Sequence, residues 1–324
     1  MSTPKTKFNL KFMENRKTLF TISSALIIFS ILSTFIFGAK LDIQFKGGTL
    51  ITYIYSGNID ANQFKADAEE ALGGLTVNIA TGTDFNTGKN NIKVSLVSNA
   101  GLTADKQIAL TDALEEKYAA NEIQLLSSTD VSPSAGSEFF KKCLVAALLA
   151  AIVLILYIAV RFKNIGGWLA GVCAIAALLH DIIIVYGSFV VMHMNIDANF
   201  MAVILTILGY SINDTIVIYD RIRENRSLYK DMPLHELVNL STNQSLVRSI
   251  NTSVTTIFAM ICVTVVALMR GVESIISFSL PMTIGLIVGT YSSLCIAPTL
   301  WVTLEEKFRS KGDGKEKDAK PAVQ

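Results

Sequence analysis

Apolar residues along this chain gather into six long runs, at positions 18–38, 139–160, 165–191, 200–219, 246–269 and 277–302. A helix needs about 20 predominantly apolar residues to cross a hydrocarbon layer about 30 Å thick, so each run predicts a membrane span. Between the first two runs lies a more polar stretch, 39–138, with shorter periods. Residues 41–55 carry β-branched and aromatic side chains around Gly47-Gly48, which predicts a strand with a bend. Residues 60–72 open on Asp60 and place Phe64, Ala68, Ala71 and Leu72 at helical spacing. Residues 75–80 and 91–97 alternate like half-buried strands. A second helix is predicted over 103–118 and a last strand over 122–128. The order β-α-β-β-α-β predicts a ferredoxin-like α+β domain, with two helices on one face of an antiparallel sheet. The expected fold class is an α-helical polytopic membrane protein with six transmembrane helices. Its extracytoplasmic α+β domain is inserted between helices 1 and 2.

Composition supports the membrane reading. Of 324 residues, 51% are hydrophobic and 17% charged, against about 25% charged in soluble domains. A net charge of +1 argues against a nucleic-acid partner. Cys143, Cys173, Cys262 and Cys295 all fall in apolar runs without CxxC spacing, so they read as small buried hydrophobes and not as ligands or disulfides. The first run is longer than the roughly 7–15 residues of a signal-peptide core and reads as an uncleaved anchor.

Lys and Arg fix the expected orientation. They cluster in residues 5–17, at Arg161 and Lys163, from Arg221 to Arg248, and in the tail after residue 305. The opposite short connectors hold only Arg270. Both termini are therefore expected in the cytoplasm. The expected divisions are a cytoplasmic N-terminal segment 1–17, the first span 18–38, the outer domain 39–138, a five-span bundle 139–302 and a charged cytoplasmic tail 303–324, disordered and solvated after Glu305. Arg221, Arg223 and Arg226 read as topology anchors or as contacts for a cytoplasmic partner. The outer domain has no His or Cys, and its carboxylates are scattered on helix faces and turns. That pattern suits a solvated surface and no enzyme, while an open sheet edge suits an extended polypeptide added as a strand.

Ionisable residues inside the spans carry the functional expectation. Thr206, Gly209, Tyr210, Asn213, Val217 and Asp220 form a polar or small-residue stripe on the fourth span, with Asp214 beside it. A carboxylate in hydrocarbon costs about 2.5–3.5 kcal/mol on insertion scales. Asp214 is read either as a group that loads and releases a proton or as helix glue. Ser241, Ser245, Arg248, Thr252 and Thr255 fall on one face of the fifth span. Arg248 is read as a partner of Asp214 or as a cation reaching to the interface. His180-Asp181 in the third span is read as a proton relay or as a satisfied interior pair. Gly167-x-x-x-Gly171 and Gly285-x-x-x-Gly289 predict close helix contact. Pro281 and Pro298 permit kinks in the last span.

Several of these runs resemble one family. Gly209-Tyr210-Ser211-Ile212-Asn213-Asp214-Thr215, continued by Asp220-Arg221-Ile222-Arg223-Glu224, looks like the signature of the SecF family. Arg248 followed by Asn251-Thr252-Ser253 and Thr255-Thr256 is similar to that family's next segment, and His180-Asp181 matches its third-span pair. Phe45-Lys46-Gly47-Gly48-Thr49 is similar to its D-F-x-G-G motif, with Gln44 where the family usually has Asp. The resemblance implies a relative of the RND transporter superfamily in the bacterial cytoplasmic (inner) membrane. It implies SecD as partner, the SecYEG channel beside the SecA motor, and YajC and YidC as further associates. The implied cargo is an exported unfolded polypeptide. The coupling ion would be a proton or sodium, with no other cofactor, and Asp214 and Arg248 would couple it. The alternative is a structural subunit that stabilises SecD and the channel without itself coupling to ions. A half-size small-molecule exporter is a third reading.

Overall fold

The computed structural model of the chain describes residues 8–83, 89–96 and 102–318. Its elements in chain order are α1 (Arg16–Phe37), the short α2 (Ile43–Lys46), β1 (Gly48–Tyr55), α3 (Ala61–Ala71), β2 (Asn78–Thr83), β3 (Asn90–Leu96), α4 (Ala104–Lys117) and β4 (Gln124–Val131). They continue as α5 (Pro133–Arg161), α6 (Gly167–Val191), α7 (Ala198–Leu228), α8 (Leu234–Arg270), α9 (Glu273–Tyr291), a π-helical turn (Ser292–Ile296) and α10 (Ala297–Asp318). Among the described residues, six helical segments are long and apolar enough to cross a membrane; the last, Ser274–Phe308, combines α9, the π turn and the start of α10.

Local chemistry sets the helix ends. Ser132 accepts from the Ala135 amide, and Pro133 occupies the first turn of α5, where its missing N–H costs nothing. Asp197 accepts from the Phe200 amide at 3.0 Å to cap α7. Gly271, at positive φ, ends α8. The apolar faces then sort the bundle. α6, α7 and the sixth span form the interior, while α1, α5 and α8 keep most of their apolar surface outside, as spans facing lipid or a partner do. A chain of edge-on aromatic contacts, Phe162 to Tyr219 at 5.8 Å and Tyr219 to Trp301 at 6.1 Å, pins α7 and α10 to the end of α5. The buried Tyr219 hydroxyl donates to the Ala170 and Ala297 carbonyls, which satisfies its polar tip.

α7 and α8 extend past the apolar runs into the charged connector, because tertiary packing carries a helix beyond the residues that anchor it. The tail is a second difference. Expected as a disordered, solvated end, it continues α10 to Asp318. The buried Trp301-Val302 turn already forms the helix nucleus, and the Lys, Glu and Arg that follow propagate helix readily.

The α+β unit has its own apolar core, separate from that of the bundle. Its sheet order is β2-β3-β1-β4, antiparallel throughout. Ile51, Tyr53 and Tyr55 of β1 alternate toward the helices and meet Phe64, Leu110 and Leu114. β4 lies at the sheet edge and is exposed along nearly its whole length. The end of the third expected strand, Val97, lies outside the described residues.

The expected strand over 41–55 is corrected. Asp42 accepts from the Gln44 amide and caps α2, so β1 begins only at Gly48. Backbone bonds from Asp42 N to Ile196 O (3.0 Å) and from Ile196 N to Lys40 O (2.7 Å) dock this linker onto the α6–α7 corner. Gly47 has φ 82°, and a Cβ there would sit 2.5 Å from the Pro133 Cα. The Gly47-Gly48 pair is therefore a close backbone contact between the linker and the start of α5, not a bend within a strand.

The scattered-carboxylate expectation also needs one correction. Asp67 is buried and accepts from Lys117 Nζ (2.8 Å), Tyr118 OH (2.6 Å) and Gln63 Nε2 (2.9 Å), joining α3 to α4. It lies one turn after Phe64, on the same inward face.

Candidate functional site

Asp214 lies on α7, one and a half turns before Asp220, and is 4% exposed. Ser253 on α8 donates to its carboxylate at 3.5 Å, a long bond. Ser253 in turn receives Thr290 of α9 at 2.7 Å and Tyr210 at 3.5 Å. Among the described residues, no ion pair within 4 Å includes Asp214. Arg248, on α8, is itself exposed. Among the described residues, Asp214 and Arg248 thus make no direct ion pair or hydrogen bond.

The polar stripe of α7 opens outward. Thr206, Gly209 and Asn213 are exposed, and a Cβ at Gly209 would meet nothing within 4 Å. Arg248, Asn251, Thr252 and Thr255 of α8 are exposed as well. The predicted α8 face is split, with Ser241 and Ser245 buried and Arg248, Thr252 and Thr255 open. Burial follows Ser241, Ser245, Ser249 and Ser253 instead. That i+4 row drifts around the helix, as expected where helices cross at an angle and pack ridge into groove.

His180 and Asp181 form a second buried centre. His180 Nδ1 is 3.0 Å from Asp181 Oδ1, so the neighbours pair with each other, and Asp181 is fully buried. Its other oxygen accepts from Ser211 of α7 at 2.9 Å and from Ser292 of the π turn at 2.7 Å. Ser293 donates to the Ser211 carbonyl at 2.8 Å and receives Thr215 at 3.0 Å. Gly289 permits this approach, since a Cβ there would stand 3.2 Å from Ser211 Cβ and 3.6 Å from the Asp181 carboxylate.

Asp220 and Arg221 are drawn elsewhere. Asp220 pairs with Arg161 and Arg223, each at 2.8 Å. Arg221 binds Gln244 and Glu224 at 2.7 and 2.6 Å. These contacts close one end of the bundle, where Arg16–Glu306 and Leu10–Asn243 also lie. Gly47 and Gly48 belong to the linker junction and take no part in either buried centre. There Gln44 Oε1 accepts from the Ala198 amide at 3.1 Å. Burial pushes the neighbouring Asp197 carboxyl up, the Phe200 amide opposes that, and the Asp42 charge adds to it. A neutral amide at 44 avoids a third carboxylate there.

Only Cys173 is buried among the four cysteines; Cys262 is exposed on the outer face of α8, a position that lipid or a partner covers as well as protein does. Among the described residues, no cluster of His, Cys, Asp and Glu could hold a metal ion. Of the hydroxyls in the two centres, Ser211 and Ser253 fall in the family-like runs, whereas Thr290, Ser292 and Ser293 were not singled out by sequence reasoning. Their one sequence signal is hydroxyls within apolar runs, Ser292-Ser293 above all.

Residues 110–307 match the family model described as protein export membrane protein SecD/SecF, C-terminal. The chain belongs to this SecD/SecF family. A SecF protein translocase subunit from Petrotoga mobilis is 32% identical over 305 residues, covering 92% of this chain and 97% of that one. A SecF subunit from Rhodothermus marinus is 31% identical over 311 residues, covering 94% and 96%. The SecDF translocase subunit of Bacillus subtilis is 33% identical over 295 residues, 90% of this chain and 37% of that longer one. In three dimensions the chain is similar to crystalline SecDF from Thermus thermophilus, with TM-score 0.78, 29% identity, and coverage of 93% of this chain and 39% of that one. SecF relatives thus match nearly end to end, whereas the chain matches little more than a third of the SecDF chains.

Proposed function

We propose that this multi-pass membrane protein is a SecF-type accessory subunit of Sec translocation that uses an ion gradient to promote polypeptide export. The observation that carries the coupling role is the state of Asp214: a buried carboxylate in a span, held by one long serine bond, beside an outward polar face. A carboxylate kept ionised for structure alone would be paired with a cation. This one is loosely held, so few bonds must be remade when its charge changes. One elementary charge crossing 100 mV carries about 2.3 kcal/mol, enough to bias a sliding chain over repeated cycles.

In this reading a proton, or sodium, binds at Asp214, and Arg248 sets the cost of its ionised form. SecD covers the open stripe of Asn213, Gly209 and Arg248, because bare amides and a guanidinium facing lipid are costly. The SecDF relatives and neighbours support that association. The α+β unit is read as ferredoxin-like and extracytoplasmic, with both termini cytoplasmic. Gathering of the Arg161, Arg221 and Arg16 contacts at one end of the bundle supports that orientation. SecYEG, SecA and an exported polypeptide complete the proposed assembly; YajC and YidC remain further proposed associates.

Export assayed in vesicles carrying this chain, its SecD partner and the channel tests the reading. Stimulation by an imposed proton or sodium gradient is expected. Equal export with and without every gradient would leave the structural-subunit role.

A further inference from the structure

One short stretch of the sixth span touches both buried centres. Thr290, the second-last residue of α9, donates to Ser253, which holds Asp214. Two residues on, Ser292 donates to Asp181 at 2.7 Å, and Ser293 binds Ser211, another Asp181 donor. The helix changes there from α to π, a local rearrangement often found at functional sites.

Asp181 has no Lys or Arg partner within 4 Å among the described residues, and its remaining contacts are His180 and neutral hydroxyls. A fully buried, unbalanced carboxylate is costly, and a proton shared with His180 removes that charge. The hydroxyl oxygens around it already lie 2.7–3.2 Å from one another or from the carboxylate, which suits a proton better than a larger cation.

We infer that Asp181, with His180, is a second proton-binding site, and that its occupancy is coupled to that of Asp214 through residues 290–293. When Asp181 is ionised it draws the Ser292 hydroxyl; when it is protonated that pull weakens and the π turn is released. Thr290 moves with the turn and changes the hydroxyl support that Ser253 gives Asp214. Other titratable side chains on the surrounding elements include Cys173 and Tyr186 on α6, Tyr210 and Tyr219 on α7, Tyr291 on α9 and Cys295 on the π turn. Tyr291 has its ring 6.3 Å from that of His180 and its hydroxyl bound to Leu19 and Ser23. Charged groups on the packed helices include Asp220, Arg221, Arg223 and Glu224 near the end of α7, Arg248 on α8, and Arg16 and Lys17 in the first turn of α1, where Arg16 pairs with Glu306.

The inference deepens the coupling reading, but its test needs neither a gradient nor export. Infrared difference titration of the two carboxyl bands, on the chain with its partner in lipid discs, gives a midpoint for each. Asp181→Asn should shift the Asp214 midpoint by about five-fold or more in proton affinity, and Asp214→Asn should shift Asp181 equally, since coupling is reciprocal. Thr290→Val combined with Ser292→Ala keeps both carboxylates and should abolish the mutual shift. An Asp214 midpoint unmoved by Asp181→Asn overturns the inference. So does a shift that survives the double variant, which would mark direct charge repulsion alone. Should Asp181→Asn fail to assemble, Ser211→Ala must move the Asp214 midpoint in the direction expected for a protonated Asp181; no movement also overturns it. Loss of gradient-driven export without Asp214, alongside uncoupled titrations, would leave the proposed function standing and remove only this inference.

Discussion

Arg161 Nη2 lies 2.8 Å from Asp220 Oδ1, which ties the end of α5 to α7 one and a half turns from Asp214. Arg161 and Asp220 are about one-third and one-half exposed, so the pair contributes at most about 1 kcal/mol in water. Asp220→Asn is therefore expected to lower the thermal stability of the isolated chain only slightly. In the assembled complex the loss should be no larger, if the pair stays open to solvent. A loss of several kcal/mol in the complex, read from denaturant titration, would mean a partner buries the pair.

Gly47→Ala should loosen the junction between the α+β unit and α5. The backbone conformation at Gly47, φ 82° and ψ 156°, is one that residues other than glycine adopt at a cost of about 1–3 kcal/mol. The added methyl would also drive into the Pro133 backbone. Faster proteolysis of the 40–47 linker is the expected readout, with the span helices unchanged by circular dichroism. Unaltered cleavage would show that the close contact is not maintained in solution.

Asp67 gives the α+β unit an acid-sensitive joint. Burial alone would raise its pKa, but hydrogen bonds from Lys117, Tyr118 and Gln63 together outweigh that and hold the carboxyl below its ordinary value. A depressed folded pKa contributes stability that is complete above the unfolded value, about 3.9, and is lost as pH falls through the folded one. The α3–α4 amides should thus lose hydrogen-exchange protection below about pH 4. Asp67→Asn should weaken them at neutral pH by about 1.5–3 kcal/mol, the worth of bonds to a charged group, and flatten the acid dependence. Retained acid dependence in Asp67→Asn would assign it to another carboxylate.

The spans, their number and the β-α-β-β-α-β order of the insert were legible because periodicity and length report burial directly. So was the placement of Asp214 beside a polar stripe. The Asp67 lock was hidden because its partners, Lys117 and Tyr118, are far along the chain and look like helix-end residues. The Asp181 centre was half visible. His180-Asp181 stood out as charge in a span, but Ser211 of α7 and Ser292-Ser293 of the π turn belong to two other segments that only tertiary packing brings to it. The buried row of α8 was misjudged for a related reason, since the crossing angle of a helix is written in its neighbours and not in its own spacing.

Coupling of ion movement to export through Asp214 is put to the test by Asp214→Asn. The amide keeps the size of the carboxylate and can still bond Ser253 across the helices, but it does not titrate. Gradient-stimulated export should be measured in vesicles holding the variant chain, SecD and the channel, at matched assembly. Normal assembly and basal export are expected, with the gradient-dependent increment lost. A variant that assembles normally and retains the full increment would contradict it.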